Sequence, residues 1–159
     1  MISLIDGTYC DSIDSFAIID CRYPFEYSGG HIAGAENISC PNVLEKRFFS
    51  NPTKNPKNVV IFHCEYSLQR APRMYFSLMI KRALHFRSTD RQLNEYPSLF
   101  YPEMYILQGG YKNFYTKYAH RCDPQDYVSM NSADYREELK NVGKRSFRKC
   151  FSEGFLSRE

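Results

Sequence analysis

Residues 59–73 read Val59-Val60-Ile61-Phe62-His63-Cys64-Glu65-Tyr66-Ser67-Leu68-Gln69-Arg70-Ala71-Pro72-Arg73. Val59 to Phe62 is a continuous, largely β-branched apolar run, which reads as a buried strand. Pro72 suits a first helical turn, where its missing N–H leaves no helix hydrogen bond unmade. Met74, Leu78 and Met79, then Ala83 and Leu84, recur at helical spacing and predict a helix through about Phe86. The stretch is a strand, a short loop and a helix.

The same alternation continues outward. Phe16 to Asp20 reads as a buried strand, and Tyr23 to Tyr27 as a short helical turn stopped by Gly29-Gly30. His31 to Ile38 leads into a second short strand. Residues 50–58 hold two Pro and three Asn, a loop composition. Met104 to Leu107 is another strand, closed by Gly109-Gly110, and Tyr111 to Tyr118 is helical. A last polar helix is predicted over about Ala133 to Asn141. Strands alternating with helices argue for an α/β domain with a mainly parallel sheet.

The 159 residues fit one domain. Segments 1–142 make the folded unit and 143–159 a basic tail, ordered in part at best. No apolar stretch reaches the roughly 18 residues of a membrane helix. The N-terminus has neither a basic n-region nor a long apolar core, so no signal peptide is expected. The six cysteines are scattered, which suggests free thiols in a reducing compartment. No cysteine or histidine spacing of the zinc type is present, and neither a metal nor a cofactor is expected. The net charge of +3 is unevenly placed: Lys140, Lys144, Arg145, Arg148 and Lys149 fall in ten residues that contain no acid.

The loop carries the chemistry. Successive N–H groups between a strand and a helix can point inward as an anion-binding nest, and the helix N-terminus adds positive dipole there. Arg70 would close the ring with a planar fork that matches two phosphate oxygens. Cys64 would sit at the floor. Cysteines in such settings titrate at roughly 3.5–7.5, against about 8.5 for a free thiol. A thiolate attacks phosphorus without a separate base, giving a cysteinyl-phosphate that water later hydrolyses. Ser67 either donates its hydroxyl to the Cys64 sulfur or satisfies loop backbone. His63 reads as a residue that orients the loop through hydrogen bonds. His31, His85 and His120 stand apart from any motif.

The loop HCEYSLQRAPR at 63–73 resembles that of the M-phase inducer phosphatases. Three further blocks match: IIDCRYPFEYSGGHIAGAENI at 18–38, HFRSTDRQLNEYPSLFYPEMYILQGGYKNFY at 85–115 and CDPQDYVSMN at 122–131. The resemblance implies a rhodanese-like α/β domain with a five-stranded, mainly parallel sheet flanked by helices. It implies dual specificity toward phosphotyrosine and phosphothreonine on a cyclin-dependent kinase, whose dephosphorylation drives mitotic entry. Cys64 is then the nucleophile and Arg70 the phosphate-binding arginine, with the loop Glu65, Tyr66, Ser67, Leu68, Gln69 and Arg70 cradling the phosphate. Cys21 matches a second cysteine that can form a disulfide with the nucleophile. The implied partner is a phosphorylated cyclin-dependent kinase–cyclin complex, met by a monomer in nucleus and cytoplasm, with no nucleic acid and no membrane involved.

Two departures stand out. Gln69 replaces a glutamate common in relatives, so no acid role applies there. The long regulatory region of the family is missing, so the chain is either a piece of a longer protein or naturally minimal. For the leaving-group proton, three sources stay open: Glu65 as acid, Glu65 as a structural carboxylate only, or a proton carried by the substrate phosphate. The basic segment Lys140 to Lys149 either docks the protein substrate by long-range attraction or is a solvated tail that aids nuclear import. Rival activities are an arsenate reductase on the same scaffold, a sulfurtransferase and a catalytically dead binding module. The seven residues from Cys64 through Arg70 are one more than a typical sulfurtransferase loop.

Overall fold

Asn58–His63 forms a strand in which all six residues are buried. A strand covered on both faces needs no polar alternation, which is why the run Val59 to Phe62 is continuously apolar. In this computed structural model, residues 1–50, 57–89 and 101–133 are described. In chain order the elements are α1 (Ile2–Ile5), β1 (Ser15–Asp20), α2 (Pro24–Ser28), β2 (His31–Ile32), β3 (Glu36–Asn37), α3 (Pro41–Phe49), β4 (Asn58–His63), α4 (Arg70–Thr89), β5 (Glu103–Ile106), α5 (Gly110–Tyr118) and β6 (Cys122–Asp123). A 3₁₀ turn, Ala119–Arg121, joins α5 to β6.

The main sheet has the order β3-β1-β4-β5, with every neighbouring pair parallel. Among the described residues it holds four strands, not the five expected. The segment predicted to lead into one strand, His31 to Ile38, divides instead at the turn Ala33 to Ala35. Its first half, β2, pairs antiparallel with β6, and its second half, β3, pairs with β1. The predicted helix over Ala133 to Asn141 lies outside the described residues except for Ala133 itself, and the basic segment Lys140 to Lys149 and the boundary at residue 142 lie wholly outside them. Two helices, α1 and α3, were not expected from the sequence. No helix of the described residues is long and apolar enough to cross a membrane.

Side chains of a strand alternate between faces, so β4 feeds two cores. Val60 and Phe62 join Ile19, Leu44, Phe48, Met74 and Leu78 beneath α3 and α4. On the other face, Val59 and Ile61 meet Leu4 of α1, while Ile18 packs with Tyr111 and Phe114 of α5. The central strands are thereby covered on both faces, and the cysteine loop lies at their ends.

Register decides what those ends bring together. Asp20 of β1 lies opposite His63 of β4. The next N–H, that of Cys21, donates to the His63 carbonyl at 2.7 Å. The Asn37 amide donates to the carbonyls of Asp20 and Arg22 at 3.0 and 2.9 Å, fixing the exit of β1. Cys21 and Cys64 therefore leave adjacent strands side by side at the carboxyl edge, where open α/β sheets bind ligands.

Beneath this edge lies a buried ionic group. Arg22 forms a forked pair with Asp20, donates to the Gly30 carbonyl at 2.8 Å, and lies flat on the Tyr111 ring at 3.8 Å. All of these groups are buried. Burial tends to raise the Asp20 carboxyl, but His63 and Arg22 outweigh it and hold it below its ordinary value. The His63 imidazole, wholly buried and 3.9 Å from Asp20, is pushed down by burial. It is therefore neutral at neutral pH, where Arg22 is the permanent charge facing Asp20, and the lowering by His63 adds to it only once the imidazole is protonated at lower pH.

A pH dependence follows. The unfolded chain takes a proton on His63 near pH 6.5, whereas the folded state resists it until a lower pH. Stability should fall as pH drops below about 6.5, by up to ~1.4 kcal/mol per unit from this group, until the folded value is reached. Urea titrations at pH 7.5, 6.5 and 5.5 should show that loss. In His63→Gln the slope between pH 6.5 and 5.5 should flatten.

Candidate active site

Between β4 and α4 the chain turns through Cys64 to Gln69. The carbonyls of Cys64 and Glu65 accept hydrogen bonds from the N–H groups of Tyr111 and Lys112 at 2.9 and 3.1 Å. These donors are first-turn amides of α5, which have no partner within their own helix. A peptide whose carbonyl is drawn to one side presents the following N–H on the other. Among the described residues, the N–H groups of Glu65 to Gln69 donate to no backbone carbonyl. Ser67 lies in the left-handed region at φ 58°. A single left-handed residue reverses the peptide orientation and makes the concave arc of an amide nest.

The close approach of α5 depends on Gly110. Its φ is +61°, and a Cβ there would stand 2.4 Å from the Cys64 carbonyl oxygen and 2.5 Å from that of Glu65. No side chain fits between helix and loop. The sequence marked Gly109-Gly110 only as the end of a strand.

The loop side chains divide by burial. Cys64, Glu65 and Ser67 are buried. The Ser67 hydroxyl oxygen has no hydrogen-bond partner. Leu68 is 78% exposed and Tyr66 43%, so these two form the rim. The Lys112 ammonium sits 5.2 Å from the centre of the Tyr66 ring, a cation–π distance. Gln69 is exposed, and its carbonyl accepts the Arg73 N–H at 3.1 Å, a first hydrogen bond of α4.

Glu65 is fixed from two directions. The Tyr127 hydroxyl donates to its Oε1, and Arg70 Nη2 lies 3.8 Å from its Oε2. Burial, together with this hydrogen bond to Glu65, pushes the Tyr127 hydroxyl well above its ordinary range, so it remains a donor. Arg70 also meets a residue that sequence reasoning missed. Glu26 of α2 is wholly buried and takes both Nη atoms of Arg70: Nη1 against Oε2, and Nη2 against Oε1 at 3.0 Å. Glu26 Oε2 also accepts the Tyr23 N–H at 3.0 Å, which closes the first turn of α2. The Tyr23 ring lies over the guanidinium at 5.1 Å. The glutamate three residues after Tyr23 was readable as a helix-start signal, but its partner 44 residues away was not.

Cys21 and Cys64 are both buried free thiols at adjacent strand ends. Burial pushes the Cys21 thiol up, Asp20 and Cys64 add to that, and Arg70 opposes it. His31 is apart from this cluster: its ring stacks on Tyr27 at 3.7 Å and its Nδ1 meets the Tyr27 carbonyl at 2.9 Å. Among the described residues no cluster of metal-ligating side chains occurs.

A parallel sheet with a cysteine loop at its carboxyl edge defines a class, and comparison with known proteins agrees with it. The rhodanese-like domain profile matches residues 8–117, and the chain belongs to that family. Within it, the chain is similar to M-phase inducer phosphatases. It is 43% identical to M-phase inducer phosphatase 2 of Rattus norvegicus over 145 residues, covering 89% of this chain and 24% of the relative. It is 45% identical to the M-phase inducer phosphatase of Schizosaccharomyces pombe over 137 residues, covering 85% and 22%. The chain thus spans about a quarter of the length of these curated relatives. Among solved structures, an As–Sb reductase from Leishmania major aligns with a TM-score of 0.50 and 21% identity over 90% of this chain and 92% of that one, which shows the shared fold.

Two glycine substitutions separate strain from close approach. Gly34 has φ +80° with nothing near a built Cβ, and Gly110 has a similar φ with loop carbonyls in the way. Gly34→Ala should cost only the left-handed strain, about 1–3 kcal/mol. Gly110→Ala should cost more in urea unfolding, and it alone should weaken inorganic tungstate binding, by at least tenfold.

Proposed function

We propose that the chain is the catalytic domain of a dual-specificity protein phosphatase. Its substrates are the phosphotyrosine and phosphothreonine of a cyclin-dependent kinase, and it works through a cysteinyl-phosphate on Cys64. One observation carries the reading: a buried cysteine lies at the floor of a loop whose carbonyls are drawn outward by α5 and whose far end is an arginine. That arrangement is built for a tetrahedral dianion and for the trigonal-bipyramidal state it passes through. The similarity to M-phase inducer phosphatases supports the kinase as substrate.

In this mechanism the Cys64 thiolate attacks phosphorus in line with the leaving oxygen. Amides of the loop and the Arg70 fork hold the three equatorial oxygens. The Ser67 hydroxyl, buried and unpartnered, is the group available to donate to the Cys64 sulfur when it leaves in the second step. Glu65, held by Tyr127 and beside Arg70, acts by bracing the loop; the proton for the leaving oxygen then comes with the substrate phosphate. A shallow rim made by Tyr66 and Leu68 suits two different phosphoresidues, and selectivity for one kinase has to come from contacts elsewhere. Cys21 serves as redox guard: peroxide takes the Cys64 thiolate to a sulfenic acid, and the Cys21 thiol displaces water from it to form a disulfide that a reductant reopens.

The test is turnover of a doubly phosphorylated kinase–cyclin complex beside three small reactions: an aryl phosphate, arsenate with glutathione, and thiosulfate with cyanide. Hydrolysis of both phosphorylated substrates and neither of the other reactions is expected. Arsenate reduction or cyanide-dependent sulfur transfer at a comparable rate would contradict the reading. Cys64→Ser should abolish hydrolysis while leaving tungstate binding largely intact; residual activity above a few per cent would remove Cys64 as nucleophile. Arg70→Lys keeps the charge but not the two-pronged geometry, and should cost roughly 10²–10³ in kcat. In Cys21→Ser, inactivation by mild peroxide should become irreversible to reductant.

A further inference from the structure

Arg70 is the group that reads an oxyanion, yet its side chain is engaged from behind. A guanidinium has five N–H groups in one plane. Glu26 takes the Nη1 and Nη2 end of that plane with both carboxylate oxygens. Among the described residues, the Nε of Arg70 makes no hydrogen bond, and Nη2 has only the 3.8 Å approach of Glu65 besides Glu26. The Nε–Nη2 edge is therefore the one left to a ligand. Glu26 itself has no freedom: it is wholly buried, and its Oε2 is shared with the Tyr23 N–H at the start of α2.

The charge balance argues that this contact serves direction rather than attraction. Arg70 brings one positive charge, and Glu26 and Glu65 bring two negative ones. A loop that relied on the arginine for net charge would not surround it with carboxylates. Anion attraction is left to the loop amides and the N-terminus of α4. What a second carboxylate supplies to Arg70 is a fixed plane, and orientation of a fork is worth more to a transition state than to a loosely held ground state.

We infer that Glu26 is the positioning residue of the phosphate-binding arginine: its carboxylate holds the Nη1–Nη2 end of Arg70 so that the Nε–Nη2 edge faces the oxyanion in the Cys64 loop. The inference rests on the phosphatase reading of that loop. Glu26 touches no reacting atom and acts only through Arg70. Its removal should therefore be felt only while Arg70 is present.

The experiment uses the whole chain and four variants: Glu26→Gln, Glu26→Ala, Arg70→Ala and the double variant Glu26→Gln/Arg70→Ala. Glutamine keeps the size and the acceptor for Tyr23 but turns an amide N–H₂ toward the guanidinium, so it carries the test if the alanine variant fails to fold. Four quantities are read: kcat and KM on an aryl phosphate, the Kd of inorganic tungstate from protection of Cys64 against iodoacetamide, and the alkylation rate without tungstate. Glu26→Gln should lose at least tenfold in kcat with a smaller change in KM, and at least tenfold in tungstate affinity. Alkylation without tungstate should stay within twofold of the parent, showing an intact loop. The double variant should be within twofold of Arg70→Ala. If the parent turns over and Glu26→Gln keeps its kcat and tungstate affinity within twofold, the role of Glu26 is overturned while the phosphatase reading stands. Losses that multiply in the double variant overturn it as well, because Glu26 would then act apart from Arg70. If the parent neither hydrolyses the aryl phosphate nor is protected by tungstate, the phosphatase reading falls and the inference falls with it.

Discussion

Two hydrogen bonds set the polarity of the site: Tyr111 N–H to the Cys64 carbonyl and Lys112 N–H to the Glu65 carbonyl. A loop between strand and helix has no intrinsic reason to turn its amides inward. Here α5 supplies that reason, because its first-turn N–H groups need acceptors and the loop carbonyls are the ones within reach. The contact in turn requires Gly110, since any Cβ there would stand inside the loop. The position of α5 is set by its packing of Tyr111 and Phe114 on Ile18 of the sheet. The hydrophobic core beneath β1 is thus coupled, through one helix, to the direction in which the loop carbonyls point.

The electrostatics follow a consistent plan around this loop. Each cation here has a partner and a further contact: buried Arg22 with Asp20, the Gly30 carbonyl and the Tyr111 ring; half-buried Arg70 with Glu26, Glu65 and the Tyr23 ring. Breaking such a pair on one side strands the other charge, which typically costs about 3–5 kcal/mol. Tyr111 belongs to both the backbone contact and the Arg22 stack, and its hydroxyl donates to the Asp126 carbonyl at 2.8 Å. Tyr127, next along that segment, reaches Glu65. The segment after β6 is thereby tied to the loop it backs, and loop shape, buried charge and the far end of the described chain form one mechanical unit.

Much of this was legible because the determining pattern is local. The apolar run into His63-Cys64, the seven-residue span to Arg70 and Pro72 in the first helical turn lie within fifteen consecutive residues, and the structure places a strand, loop and helix on them. The adjacency of Cys21 and Cys64 depends on strand register, and Asp20 opposite His63 is the register that places them side by side. Other features were not local. The split of His31 to Ile38 was not legible, because β2 and β3 are two residues each and the turn between them sends them to different sheets. Helix α3 was not expected; it starts at Pro41 and buries only Leu44 and Phe48, too sparse an apolar pattern to mark it. Glu26 could be read as a helix-start residue but not as the partner of Arg70, since only tertiary packing brings residues 26 and 70 together. Whether Glu65 serves as acid or brace could not be decided from spacing, because burial and Tyr127 bear on it and neither is written near it in the chain.

We propose that the loop from Cys64 to Arg70 is an oxyanion cradle with a nucleophilic sulfur at its floor. The most direct measurement is a crystal structure of the protein with orthovanadate. Vanadium should be bonded to the Cys64 sulfur, with equatorial oxygens on the amides of Glu65 to Arg70 and on the Nε–Nη2 edge of Arg70, and Glu26 still on the Nη1–Nη2 end. Vanadate bound away from Cys64, or a loop whose carbonyls rather than amides face the ligand, would contradict it.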